Sequence, residues 1–160
     1  MLDYTLVSTR ATYRMLQQSD IAAFLALVTR CHAAGPHSLP TPQECILATF
    51  RELQRNKDRG TLFVFEREQA LVGYSILVTT WSNRLGGIVL SIDELHIDPR
   101  LPDTDLAADF LTLIAKVAPT EVCTIQVHVD AKDRRARDAC RKIGFKDAGQ
   151  AVLLMKPVRD

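Results

Sequence analysis

The chain has no apolar run long enough to cross a bilayer. Its first 17 residues are too polar for a secretory signal. Charge of either sign is not in excess: 20 Lys and Arg face 19 Asp and Glu, for a net +1. No overall field therefore favours nucleic acid, an acidic partner or an anionic membrane. Cysteine is scarce, and Cys31, Cys45, Cys123 and Cys140 show neither CxxC pairing nor zinc-like spacing. Such thiols suit a reducing, cytoplasmic compartment. Repeats, low-complexity tracts and linkers are absent too. What is present is an ordinary globular composition, 47% hydrophobic and 24% charged, over 160 residues. That length suits one domain with a sizeable core.

The apolar pattern gives an element order. Residues 1–10 read as a loosely held arm, and Thr12–Leu16 alternates as a short strand. Ser19 is a candidate N-cap for a helix from Asp20 to Ala33. Thr41, Pro42 and Glu44 spell a capping box with proline at the first position of a second helix, which runs to Lys57. Thr61–Glu66 and Leu71–Thr79 form a hairpin, and the glycine-closed loop Trp81–Gly87 leads into a third strand, Ile88–Ile97. A helix over Thr104–Ala118, a strand over Val122–Val129, a helix over Asp133–Ile143 and a strand over Ala151–Lys156 follow. The order β-α-α-β-β-β-α-β-α-β predicts a mixed α/β sheet with helices on both faces. The Thr104–Ala118 helix should be a crossover, making Ile88–Ile97 and Val122–Val129 parallel neighbours. Ligands of such sheets sit at the carboxyl ends of the parallel strands. There Glu94, His96, the Pro102–Leu106 loop, His128 and Asp130 converge.

Two motifs on this frame resemble the GNAT superfamily of acyl-CoA N-acyltransferases. WSNRLGGIVLSIDELHIDP at Trp81–Pro99 is similar to the family's passage from a glycine-closed loop to an acidic pair and V-x-P. VDAKDRRARDACRKIGF at Val129–Phe145 is similar to its V-x-x-x-N-x-x-A-x-x-x-Y-x-x-x-G-F helix. The resemblance implies acetyl-CoA as donor and a primary amine of a small molecule as acceptor. It implies that Leu95, His96 and Ile97 line the acyl arm. The pyrophosphate loop R/Q-x-x-G-x-G/A falls on Pro102, Asp103, Thr104, Asp105, Leu106 and Ala107, of which only Ala107 fits. The family's helix asparagine becomes Asp133, and its tyrosine acid becomes Cys140.

Acyl transfer needs a base for the amine, a donor for the oxyanion and an acid for the leaving thiolate. Asp93 and Glu94 are candidate bases, set on opposite faces by strand alternation, with Glu94 sharing a face with His96. The backbone of a splayed Glu94–Ile97 strand could serve the oxyanion. Cys140 could protonate a thiolate or simply pack. Trp81, Ser82, Asn83 and His128 are expected to border the acceptor. His96 and His128 read as facing each other across adjacent strands, but no dense ligand spacing supports a metal, and none is expected. Arg134, Arg137 and Arg141 share a helix face, which reads as solvated and partly paired with Asp138.

The loop is the difficulty. Six acidic residues lie between Asp93 and Asp109 against one basic residue, Arg100. An aspartate about 5 Å from a phosphate costs about 3 kcal/mol at an effective dielectric near 20. A side chain capping the helix from Asp103 or Thr104 would also occupy the N–H groups a phosphate needs. Two alternatives therefore stand beside the acetyltransferase. One is a GNAT-like binding or regulatory module that has lost acetyl-CoA. The other is an acyltransferase with another donor, such as an acyl carrier protein. A shared edge at the C-terminal strand offers a route to a homodimer.

Overall fold

A computed structural model describes residues 5–34, 42–101, 105–129 and 134–149. Among the described residues, six strands form one sheet in chain order: β1 (Leu6–Val7), β2 (Thr12–Met15), β3 (Gly60–Arg67), β4 (Ala70–Ser82), β5 (Gly87–Ile97) and β6 (Val122–Val127). All neighbours are antiparallel except β5 and β6, which are parallel. The helices are α1 (Ile21–Ala34), α2 (Gln43–Arg55), α3 (Leu106–Val117) and α4 (Arg134–Lys142). The crossover through α3 joins the two parallel strands, as the sequence predicts.

Alternation sends each strand's side chains to two separate cores. Phe63 and Phe65 of β3 join Tyr13, Leu77, Leu90, Ile92 and the α3 residues Leu106, Phe110, Leu111 and Ile114. Leu62 and Val64 point the other way, to Tyr74, Ile76 and the α1 and α2 residues Phe24, Leu27, Val28, Phe50 and Leu53. With both faces covered, the middle of β4 is buried without a break from Val72 to Leu77. Phe110 sits at the centre of one core, with ring centroids of Tyr13, Phe63 and Phe65 at 5.4, 5.5 and 4.7 Å.

Some local expectations shift. Residues 6 and 7 of the expected arm form β1, pairing Leu6 with Tyr13 and Val7 with Thr12. What holds them is distant in sequence: the Ser8 hydroxyl donates to Asp109 of α3 at 2.6 Å. Ser19 lies inside a 3-10 turn, Gln18–Asp20, and the cap is made by Asp20, whose carboxylate accepts from the Gln17 N–H at 2.8 Å. Pro42 is the residue before α2 rather than its first. Thr41, like the expected strand Ala151–Lys156, lies outside the described residues. No helix among the described residues is long and apolar enough to cross a membrane.

Candidate active site

The site is made by an irregularity in β5. Ile92 pairs with Leu77 and Glu94 pairs with Ile76, so Asp93 is an extra residue that bulges from the ladder. A bulge breaks the period of two. Ile92 lies in the α3 core, and an unbroken strand would send Glu94 to the same apolar face. The bulge instead turns Glu94 to the α1 side, where Ile76 and Tyr74 lie. The ladder to β6 also stops here: the last pair is Ile92 with Val127, followed by a bond from the His128 N–H to the Ile92 carbonyl at 3.3 Å. From Asp93 to Ile97 that edge of β5 has no strand partner among the described residues.

Glu94 enters a polar cluster. The Tyr74 hydroxyl donates to Glu94 Oε2 at 2.8 Å, and His96 Nε2 lies 3.9 Å from the same carboxylate. Because Tyr74 gives its proton to Glu94, His32 Nε2, 3.1 Å from the Tyr74 oxygen, is placed to donate. The His96 ring stacks on Tyr74 at 5.1 Å and meets His32 edge-on at 5.5 Å. Burial, followed by the charge and hydrogen bond of Glu94, pushes the Tyr74 phenol far above its ordinary value. Burial likewise holds His96 below the usual histidine range, against the opposing pull of Glu94. The carboxylate stays reachable, with 31% of the Glu94 side chain exposed. Asp93 goes elsewhere, to an exposed position 3.9 Å from His128 Nδ1. The two carboxylates thus separate, but by a bulge and not by simple alternation.

Past Ile97 the acidic stretch is less bare than the linear count implies. Asp98 is 3% exposed and accepts from Arg30 Nη2 and Arg100 Nη2, each at 2.8 Å. Those bonds, with Arg100 first, hold its carboxyl far below the usual carboxylate range. Asp105, at the start of α3, makes no side-chain bond to the helix N–H groups and pairs with Arg10 at 3.1 Å. Asp109 turns down to Tyr13 and Ser8, at 2.5 and 2.6 Å. Burial and the Asp109 bond raise the Tyr13 phenol well above its ordinary value.

No family model and no curated protein matches this chain. Solved structures do. A possible acetyltransferase from Clostridium difficile 630 superposes with a TM-score of 0.78 at 10% identity, covering 94% of this chain and 99% of the other. The aminoglycoside N-acetyltransferase AAC(6')-Iy in complex with CoA gives 0.74 at 11% identity, over 96% and 100%. The fold is that of the GNAT superfamily. The same GNAT frame carries other roles: a transcriptional regulator from Bacillus halodurans C-125 matches with a TM-score of 0.74 at 17% identity, over 92% and 99%.

Within this GNAT fold the remaining expected site residues scatter. Leu95 and Ile97 pack on the α3 core, leaving His96 between them on the Glu94 side. Leu106 is buried, its carbonyl accepting from the Tyr13 hydroxyl at 3.4 Å, and Ala107 is half-buried in the first turn of α3. Trp81 pairs with Ile88 near the hairpin end, five ladder residues from Ile76. That is about 17 Å of strand from Glu94, so Trp81, Ser82 and Asn83 are not brought to it. Trp81 is 68% exposed there, and Ser82 accepts from the Leu85 N–H within the turn. His96 and His128 do not pair; their partners are the Tyr74–His32 cluster and Asp93. Cys140 is buried in the α3 core. Arg137 and Arg141 bind Asp147 at 3.3 and 2.5 Å, and Arg141 also binds Asp138. Pro102, Asp103, Thr104, Asp130 and Asp133 lie outside the described residues. A cavity of about 480 Å³ opens at the opposite, Gly87 end of β5 between Leu77, Leu90 and Val122, remote from these groups.

The members that sequence reasoning missed are Tyr74 and His32. Tyr74 reads as one more apolar residue of a buried strand. His32 had a signal: it continues the four-residue spacing of the buried Phe24 and Val28 along α1.

Proposed function

We propose that this chain is an N-acyltransferase that moves an acetyl group from acetyl-CoA to a primary amine of a small molecule. The observation that carries the proposal is the bulge at Asp93. It sets the Glu94 carboxylate, in a half-open polar cluster, beside a stretch of β5 edge that has no strand partner among the described residues. Acetyl-CoA supplies the thioester carbonyl when bound. The open Asp93–Ile97 edge offers backbone N–H groups to that carbonyl and to the arm behind it. Glu94 takes the amine proton, and Tyr74 fixes its orientation from below. The exposed Asp93 is left outside this arrangement. The phosphate half fits less obviously by residue type; the capping expected of Asp103 or Thr104 lies outside the described residues, and the charge at Asp105 is met. The Asp105 side chain does not bond the first N–H groups of α3, and Arg10 offsets its charge. Both aminoglycoside substrates of a fold neighbour and this half-exposed carboxylate favour a cationic small amine as acceptor.

A second reading, a module that has lost acetyl-CoA, is favoured by the carboxylate of Asp105 where the family places glycine. Calorimetry with acetyl-CoA and turnover on a panel of amines, followed by thiol release, separate the two. The acyltransferase reading expects micromolar binding, and a kcat lowered about 10²- to 10⁴-fold by Glu94→Gln. Asp93→Asn should leave kcat within about threefold. No binding at about 1 mM ligand overturns the proposal.

A further inference from the structure

We propose that His32, Glu94 and His96 form a binding site for a divalent transition cation of the zinc class. One ligand atom from each lies within 4.8 Å of the other two. The three come from two elements, α1 and β5, so the convergence is a product of the fold and has no trace in ligand spacing along the chain. Two imidazoles with one carboxylate suit zinc, and leave a fourth position for water. Tetrahedral zinc with bonds near 2.0–2.1 Å sets its ligands about 3.4 Å apart. His96 Nε2 and Glu94 Oε2, at 3.9 Å, need only a small rotation, and no pair need close by more than about 1.5 Å. An outer shell is already built. The Tyr74 hydroxyl binds Glu94 Oε2 at 2.8 Å and its ring backs His96, which fixes carboxylate and imidazole together. Capture of the cation by the His32 imidazole requires its ligating nitrogen to be unprotonated, and the 3.1 Å contact of Nε2 with the Tyr74 oxygen holds that ring beside Glu94. Glu94 and His96 are both half-buried, so an ion can reach them. One consequence rests on the function proposed above: an ion held by Glu94 occupies the base, and zinc inhibits acyl transfer in competition with the amine.

The test is calorimetry with zinc chloride on the full chain carrying Cys45→Ser and Cys123→Ser, which removes the two exposed thiols. One equivalent of zinc is expected to bind with micromolar affinity and to raise the unfolding temperature. His32→Asn and His96→Asn should each weaken binding at least about tenfold. Cobalt should give a visible absorption band that His32→Asn abolishes. The readouts are binding and spectra, so they stand whether or not the chain proves to be an acyltransferase. If His96→Asn fails to fold, the cobalt spectrum of His32→Asn decides alone. No heat and no thermal shift at about 1 mM zinc, or affinity and spectrum unchanged in His32→Asn, overturns the site.

Discussion

Replacing Asp98 by asparagine tests how the exit of β5 is held. The buried carboxylate collects donors on both oxygens. Arg30 Nε and Nη2 reach Oδ2 at 3.1 and 2.8 Å, and the Arg100 backbone N–H reaches Oδ1 at 3.1 Å. Every partner is a donor, so an asparagine must turn its own NH₂ toward at least one of them. With its oxygen kept on Arg30, the two bonds there survive but lose the charge on the acceptor. Such bonds are worth about 1.5–3 kcal/mol when charged and about 1 kcal/mol when neutral. Arg30 is 31% exposed, which lets water recover part of the loss. The net cost is set at about 2 kcal/mol, or a fall in Tm of about 4–8 °C for a chain of this length. Urea unfolding at pH 7 should show a lower midpoint with an unchanged slope. Added salt should narrow the gap only slightly, since Asp98 is shielded from solvent. A change below about 0.5 kcal/mol would refute the view that Asp98 holds this exit.

Two further outcomes follow from the packing. Asp20 accepts from Arg14 at 2.7 Å and from the Gln17 N–H at 2.8 Å, and the Arg14 bond pulls its carboxyl below the ordinary range. A lowered folded value contributes stability above the unfolded value near 3.9 and loses it as pH falls through the folded one. The stability gap between wild type and Asp20→Asn, about 1 kcal/mol, should therefore be level above about pH 5 and shrink below about pH 4 in urea titrations. A Cβ at Gly60 would lie 2.0 Å from the Leu77 carbonyl oxygen, which is backbone and cannot rotate away. Gly60→Ala should cost about 1–3 kcal/mol, read by thermal unfolding.

The layers of this fold are legible in its sequence because periodicity alone specifies them. Phe63 and Phe65 against Leu62 and Val64 mark a strand with two covered faces, and Phe110 with Leu106 and Ile114 marks one helical stripe. What was not legible depends on partners far along the chain. A two-residue strand at Leu6–Val7 has no signature of its own; Asp109 of α3 holds the turn that follows it through Ser8. Trp81 resembles a site residue by motif, yet antiparallel pairing with Ile88 carries it to the other end of the strand. The bulge at Asp93 is the hardest of all to read. Nothing in SIDELHI distinguishes a strand with an extra residue from one without, yet that residue decides which face Glu94 occupies.

The charge around the exit of β5 and the start of α3 shows why a linear count misleads. Between Asp93 and Asp109 the sequence sets six carboxylates against Arg100, which argues against any anionic ligand. In the fold, Asp98 is covered by Arg30 and Arg100, Asp105 is met by Arg10, and Asp109 is engaged by two hydroxyls. Arg10 arrives from the β1–β2 turn and Arg30 from α1, neither within sixty residues of its partner. Coulomb energies depend on separation in space and on solvent between the charges, so a neutralised, buried Asp98 adds little repulsion at a distance. The two pairs are not equal, however. Asp98 is a buried carboxylate held by several bonds from two arginines, whereas Arg10 and Asp105 are both largely exposed and free to exchange partners. An incoming phosphate can therefore compete for Arg10 at small cost, while Arg30 stays committed to Asp98. That asymmetry makes Arg10 the residue through which an acidic helix start could still accept an anion.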